Sequence, residues 1–207
     1  MSQQTWIVYA VMVFFMSATP GPNMLLTLNH GIRYGFRATL ATCFGLMSGL
    51  CLIMLASVAG LGAILAASHI AFSILKYAGA LYLVYIGFKT WRAPPRLERP
   101  ADTGPVRANR LELFRTGMFV SLSNPKAIIF FMALFPQFMD KKAPQLPQMV
   151  ILMLTFMVIE TFWQFVYAGG GAKLSRWLNS ERRMRVVNRL SGGFFMSAGV
   201  ALGASRL

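Results

Sequence analysis

Apolar residues run from Trp6 to Leu28, and no charged side chain occurs between Met1 and His30. Runs of similar length recur down the whole chain, which a soluble core of this size would not need. They predict about six spans, at 6–28, 38–65, 70–91, 113–138, 148–171 and 187–204. The expected fold class is an all-α integral membrane protein with about six transmembrane helices. Between the third and fourth runs, Pro94, Pro95, Pro100, Gly104 and Pro105 lie among charged residues, as in a solvated linker with no core of its own. This linker, about 93–112, divides one membrane domain, 1–207, into a first repeat of about 1–92 and a second of about 113–207. Three spans per half is an odd number. The halves are then oppositely oriented, as inverted three-helix repeats.

The first span of each half is interrupted. In the first half the interruption is Pro20-Gly21-Pro22-Asn23. A helix ending there, Trp6 to Thr19, supplies 14 residues, roughly 21 Å of the roughly 30 Å a bilayer core requires. The prolines therefore fall inside the membrane. Pro20 and Pro22 lack N–H groups, so the carbonyls of Met16 and Ala18 lose their helical donors. In the second half the interruption is Ser121-Leu122-Ser123-Asn124-Pro125-Lys126, where Pro125 removes the donor of the Ser121 carbonyl. One such site reads plainly as a proline kink. Breaks at corresponding positions of two halves point instead to a transporter's midplane binding site. A helix that stops and restarts exposes carbonyls at one end and N–H groups at the other. The first attract an ammonium and the second a carboxylate, so the pair suits a zwitterion such as a free amino acid.

Charge sharpens this picture. The net charge of +14 could suggest nucleic acid, but no aromatic residues interleave with the basic loops, and none is expected to bind it. Fifteen of the 20 basic residues fall in or beside the first, third and fifth loops, and only Lys141, Lys142 and Arg206 lie on the other side. Positive-inside logic makes the crowded side cytoplasmic and puts both termini outside an inner (plasma) membrane. The amino terminus lacks the basic region of a cleavable signal. Gly45 with Gly49, and Gly199 with Gly203, form small-xxx-small pairs that serve packing within the chain or a homodimer. Cys43 and Cys51 lie about 12 Å apart along one helix, too far for a disulfide.

Three ionisable residues stand within apolar spans: Lys76, Lys126 and Glu160. Each costs at least about 2.5–3.5 kcal/mol at a helix centre, so each calls for a partner or a wet cavity. A structural ion pair is the bland reading, and Lys76 can alternatively snorkel to the outer surface. A carboxylate beside a lysine can also trade a proton with cavity water, as coupling to a proton gradient requires. The candidate substrate and coupling-ion residues are therefore Pro20, Gly21, Pro22, Asn23, Lys76, Asn124, Pro125, Lys126 and Glu160.

Across nearly the whole chain the motifs resemble the LysE/RhtB amino-acid exporters. They run Ala18-Thr19-Pro20-Gly21-Pro22, Asn29-His30-Gly31, Arg33-Tyr34-Gly35, Leu75-Lys76-Tyr77-Ala78-Gly79, Ile86-Gly87, Asn124-Pro125-Lys126 and Leu134-Phe135-Pro136-Gln137-Phe138. Members of that family carry Asp or Glu where Glu160 stands. The resemblance implies secondary active efflux of amino acids or close derivatives, of the homoserine, threonine, leucine or lysine type, driven by the proton gradient. It implies neither enzyme activity nor a cofactor.

The nearest alternative is export of another small cation or a metal ion. An intramembrane enzyme is further off, because His30 and His69 sit at span ends without a paired ligand motif. A nucleotide-driven pump would need a G-x-x-x-x-G-K-[ST] stretch, which Gly169-Gly170-Gly171-Ala172-Lys173 does not supply. Those glycines are expected to end the fifth helix.

Overall fold

Apolar backbone in a bilayer must pair its polar groups internally, and helices do so within one segment. A computed structural model describes residues 1–67, 69–94, 109–131, 135–140, 143–178 and 180–204, and their long regular elements are all α-helices. These are α1 (Gln3–Ala18), α2 (Pro22–Tyr34), α3 (Phe36–Ala67), α4 (His69–Trp91), α5 (Arg110–Leu122), α6 (Pro125–Ile129), α7 (Gln145–Leu178) and α8 (Glu181–Ala204). A short 3-10 turn, Phe135–Phe138, precedes α7. The linker expected at 93–112 lies mostly outside the described residues.

By length and composition, Phe36–Ser57 and Gln145–Gly171 can each cross a membrane, and α1 with α2, bent by 50°, counts as a third if taken as one span. These spans are those of the described residues. The fourth expected span is divided into the 13 residues of α5 and the five of α6. The first turns of α8 carry Glu181, Arg182, Arg183, Arg185 and Arg189. Large apolar side chains cover the outer surface. Phe44 is 69% exposed, Leu81 72% and Val158 69%, a surface suited to lipid rather than water.

The helices pack across the two halves. The carbonyl of Phe114 on α5 lies where a Cβ on Gly45 would go, and Ser121 Cβ would be 2.8 Å from one on Gly49. Gly117 of α5 meets the Thr42 carbonyl in the same way, so α3 and α5 approach backbone to backbone. Gly87 of α4 faces the carbonyl of Gly192, and Gly199 of α8 faces that of Ala80. Both small-residue pairs thus meet neighbouring helices of the same chain. On the other side, α1 and α2 lie along α7.

The fifth span ends at the glycine run, as expected. Gly171 takes φ 38° and ψ −128°, a conformation open to glycine, and breaks the helix there. The part able to cross a membrane is Gln145–Gly171, and a further helical stretch follows to Leu178.

The interhelix contacts order the ends of the bundle. Asn188 Nδ2 donates to the Ala93 carbonyl at 3.2 Å, which sets the start of α8 beside the end of α4. The ends of α2 and the start of α3 lie by Ala168 and Phe165 of α7. This end carries the basic loops. At the other end the Met1 amino group is 3.9 Å from Asp140. Between that end and the helix breaks lies an aromatic cluster of Tyr9, Phe130, Phe131, Phe135, Phe138 and Phe156, with Phe131 and Phe156 4.7 Å apart. Tyr9 also donates to the Leu152 carbonyl at 3.1 Å, so the cluster is pinned to α7.

Candidate functional site

A residue before proline is pushed out of the helical region. Accordingly Thr19 is extended (φ −69°, ψ 126°), Gly21 is extended (φ −133°, ψ −178°), and Asn124 is extended (φ −80°, ψ 104°). Each restart then has proline at its first position, where the missing N–H costs nothing: Pro22 opens α2 and Pro125 opens α6. Asn124 caps α6 by accepting from the Lys126 N–H at 3.1 Å.

The two carbonyls left without donors by Pro20 and Pro22 are each taken by a side chain from far along the chain. Lys126 Nζ donates to the Met16 carbonyl at 2.6 Å. Tyr167 donates its hydroxyl to the Ala18 carbonyl at 2.8 Å. The second break is handled locally, since the Asn124 N–H donates to the Ser121 carbonyl at 3.0 Å. Thus a lysine of the second break closes the carbonyl end of the first. The two breaks also bond directly: Asn124 Nδ2 donates to Asn23 Oδ1 at 2.9 Å, with both residues buried.

Glu160 is buried on α7, one turn before Gln164 and two before Tyr167. It lines a cavity of about 30 Å³ together with Ser17, Asn23, Asn124 and Lys126, room for about two water molecules. Among the described residues, Lys126 bonds the backbone of α1 rather than this carboxylate. Ser17 Oγ and Gln164 Oε1 are buried without a hydrogen-bond partner among the described residues. A wider chamber of about 490 Å³ begins at the same breaks. Thr19, Gly21, Asn124 and Lys126 line both spaces, so the lysine stands between Glu160 and the wider chamber. The wider chamber extends past Asn29 and Phe195 to Lys89, Pro94 and Asn188 at the basic end, and none of its described lining residues is acidic.

Eight of the nine candidate residues are therefore at or beside the two breaks or on the smaller cavity: Pro20, Gly21, Pro22, Asn23, Asn124, Pro125, Lys126 and Glu160. Lys76 stands on α4, and its side chain lies outside the described ones. Sequence reasoning did not single out Tyr167, Phe195, Ser17 or Asn188. Phe195 sits under Lys126, with Nζ 5.4 Å from the ring centroid, within reach of a cation–π contact. The loss of donors at Met16 and Ala18 was the signal that two such partners must exist. It did not say which helices supply them.

Broken helices meeting at an internal chamber, inside an all-α protein with apolar outer faces, define a membrane translocator. The chain belongs to the LysE type translocator family, whose sequence model matches residues 14–206. It is a transport protein and not an enzyme. The homoserine/homoserine lactone efflux protein of Salmonella typhi is 34% identical over 206 residues, covering 100% of this chain and 99% of that protein. The leucine efflux protein of Enterobacter sp. (strain 638) is 30% identical over 190 residues, covering 91% and 90%. An uncharacterized membrane protein of Vibrio cholerae is 34% identical over 207 residues. No solved structure matches the chain.

Proposed function

We propose that this protein is a secondary exporter of neutral amino acids or close derivatives such as homoserine, driven by proton antiport, with the meeting of the two breaks as its binding site. The observation that carries the reading is the double link between breaks, Lys126 to Met16 and Asn124 to Asn23, at the mouth of a chamber large enough for a small solute. The carbonyl end of α1, held there by Lys126 and Tyr167, faces the same break as the N-terminus of α2, which has no side-chain cap, and the two ends together suit a zwitterion. The relatives named for homoserine and leucine efflux support the same class. The alternative of a small cation or metal ion finds no described carboxylate in the wider chamber, which Lys89 and Lys126 line instead.

The proposed architecture is six spans in two inverted repeats. Its support is the exchange of partners between halves, with α3 against α5, α1 and α2 against α7, and α4 against α8. The basic end is cytoplasmic by the positive-inside rule, which puts both termini outside. The chamber then opens to the cytoplasm, and the aromatic cluster around Tyr9 closes the outer side. The glycine pairs serve contacts within the chain, so the transport unit proposed is a single chain, with homodimerisation unnecessary.

The test is efflux from cells loaded with each amino acid as a dipeptide, with and without a protonophore. Export of homoserine-like or other neutral amino acids that stops with the protonophore is the expected result. A negative across all amino acids and homoserine-like compounds, with the protein present in the membrane, rules the reading out.

A further inference from the structure

The carbonyl end of a broken helix is a place for an ammonium, and in this structure an ammonium already fills it. Lys126 Nζ lies 2.6 Å from the Met16 carbonyl and over the Phe195 ring. The same side chain lines the smaller cavity that holds Glu160 and the wider chamber through which a solute would arrive. We propose that Lys126 is a tethered stand-in for the substrate's ammonium, and that substrate and proton exchange by competing over where this ammonium goes. The inference rests on the proposed amino-acid export.

The competition runs as follows. A zwitterion entering from the wider chamber brings its own ammonium to the Met16 carbonyl and the Phe195 ring. Lys126, on a flexible four-carbon stem, is displaced within the smaller cavity towards Glu160. An ionised Glu160 receives it as an ion pair; a protonated Glu160 cannot. Binding the substrate therefore expels the proton of the Glu160 carboxyl to water, and protonation from the other side sends Lys126 back to the Met16 carbonyl and expels the substrate. By linkage the two effects are equal and opposite. One proton is exchanged for one zwitterion. The substrate-loaded site, with Glu160 and Lys126 paired, carries no net charge, whereas the protonated empty site carries one positive charge. A membrane potential negative inside thus drives the empty form back.

Among the described residues, few other titratable groups face Glu160. On α7 itself Tyr167 is held by the Ala18 carbonyl. From α1, Tyr9 is bonded to the Leu152 carbonyl. Cys51 of α3 is turned to Met157, and His30 of α2 to Thr42. Lys126 of α6 is the charged side chain that shares its cavity. The basic side chains of α8 belong to its first turns, at the end of the bundle.

The test uses the purified full-length protein in proteoliposomes, with homoserine and leucine as probes. In the unaltered protein, adding homoserine in weak buffer should release up to one proton per molecule bound, and binding should weaken as pH falls. Lys126→Met should bind homoserine several-fold more tightly, release no proton and bind independently of pH, with gradient-driven accumulation lost. Lys126→Gln keeps a donor for the Met16 carbonyl without the charge and should also lose the pH dependence, which covers the case in which the Met variant does not insert. Lys126→Arg should keep it. Proton release and pH dependence that persist in the Met or Gln variant overturn the inference and leave the proposed export standing. So does a Met variant that is folded but no longer binds homoserine, which would make Lys126 a direct ligand of the substrate. An unaltered protein that binds and moves neither probe overturns homoserine and leucine as its substrates, and this inference with them.

Discussion

Lys126 Nζ donates to the carbonyl oxygen of Met16, 110 positions earlier in the chain, at 2.6 Å. Met16 is four residues before Pro20, so the acceptor is free because the proline has no N–H to offer it. Replacing Pro20 with Ala returns that donor and makes it compete with Lys126. One net hydrogen bond is worth about 0.5–1.5 kcal/mol. Pro20→Ala should therefore insert normally and transport up to about tenfold more slowly, measured as initial homoserine efflux at equal protein level. Unchanged efflux would mean that the break plays no part in transport.

The second link between breaks is the Asn124–Asn23 hydrogen bond. Truncating either partner leaves the other buried and unpaired, at a cost of about 1–3 kcal/mol. Asn23→Ala and Asn124→Ala should each lower the melting temperature of the purified protein. The double variant should lose less than the two losses added, with a coupling of about 0.5–3 kcal/mol. Strict additivity would show that the bond contributes nothing.

Much of this site was legible before the structure, because proline acts through known offsets. Pro20 and Pro22 mark Met16 and Ala18 as acceptors, and the residues before them as extended, whatever else the chain does. The donors were not legible. Tyr167 and Lys126 reach those carbonyls from other helices, and nothing local to either residue announces a contact over 149 or 110 positions. The break at Gly171 was legible for a local reason as well, since a glycine run signals freedom to turn, and Gly171 takes a positive φ where the span ends. In the fourth span the chain breaks at the Asn124-Pro125 pair, with α5 ending at Leu122 and α6 starting at Pro125.

Gly45 and Gly203 belong to the two small-residue pairs yet should respond differently to an added methyl. A Cβ on Gly45 collides with the Phe114 carbonyl, whereas one on Gly203 would sit 3.8 Å from Ala80 Cβ, ordinary contact. Gly45→Ala should cost about 1–3 kcal/mol, seen as a lower melting temperature and lower membrane level. Gly203→Ala should stay within about 0.5 kcal/mol. Equal effects at the two sites would contradict the tight α3–α5 contact.

The sidedness proposed from the basic end can be read in intact cells. A cysteine at Ser2 should react with an impermeant thiol reagent, and one at Asn109, beside the start of α5, should be protected until the membrane is opened. The native cysteines provide the background, since Cys43 is buried and Cys51 half-buried. The reverse pattern would invert the account, placing the wider chamber on the outer side.

The central claim is that the chamber at the breaks couples solute to protons through the buried carboxylate beside it. Glu160→Gln keeps the shape of that side chain and removes its charge, so it addresses the claim directly. The measurement is homoserine transport in proteoliposomes bearing an imposed pH gradient, compared with homoserine exchange in its absence, at matched protein levels. The account predicts that gradient-driven transport is lost in Glu160→Gln, while the exchange that remains is weaker, because Lys126 stays at the Met16 carbonyl, and no longer responds to pH. Gradient-driven transport at the unaltered rate would contradict it.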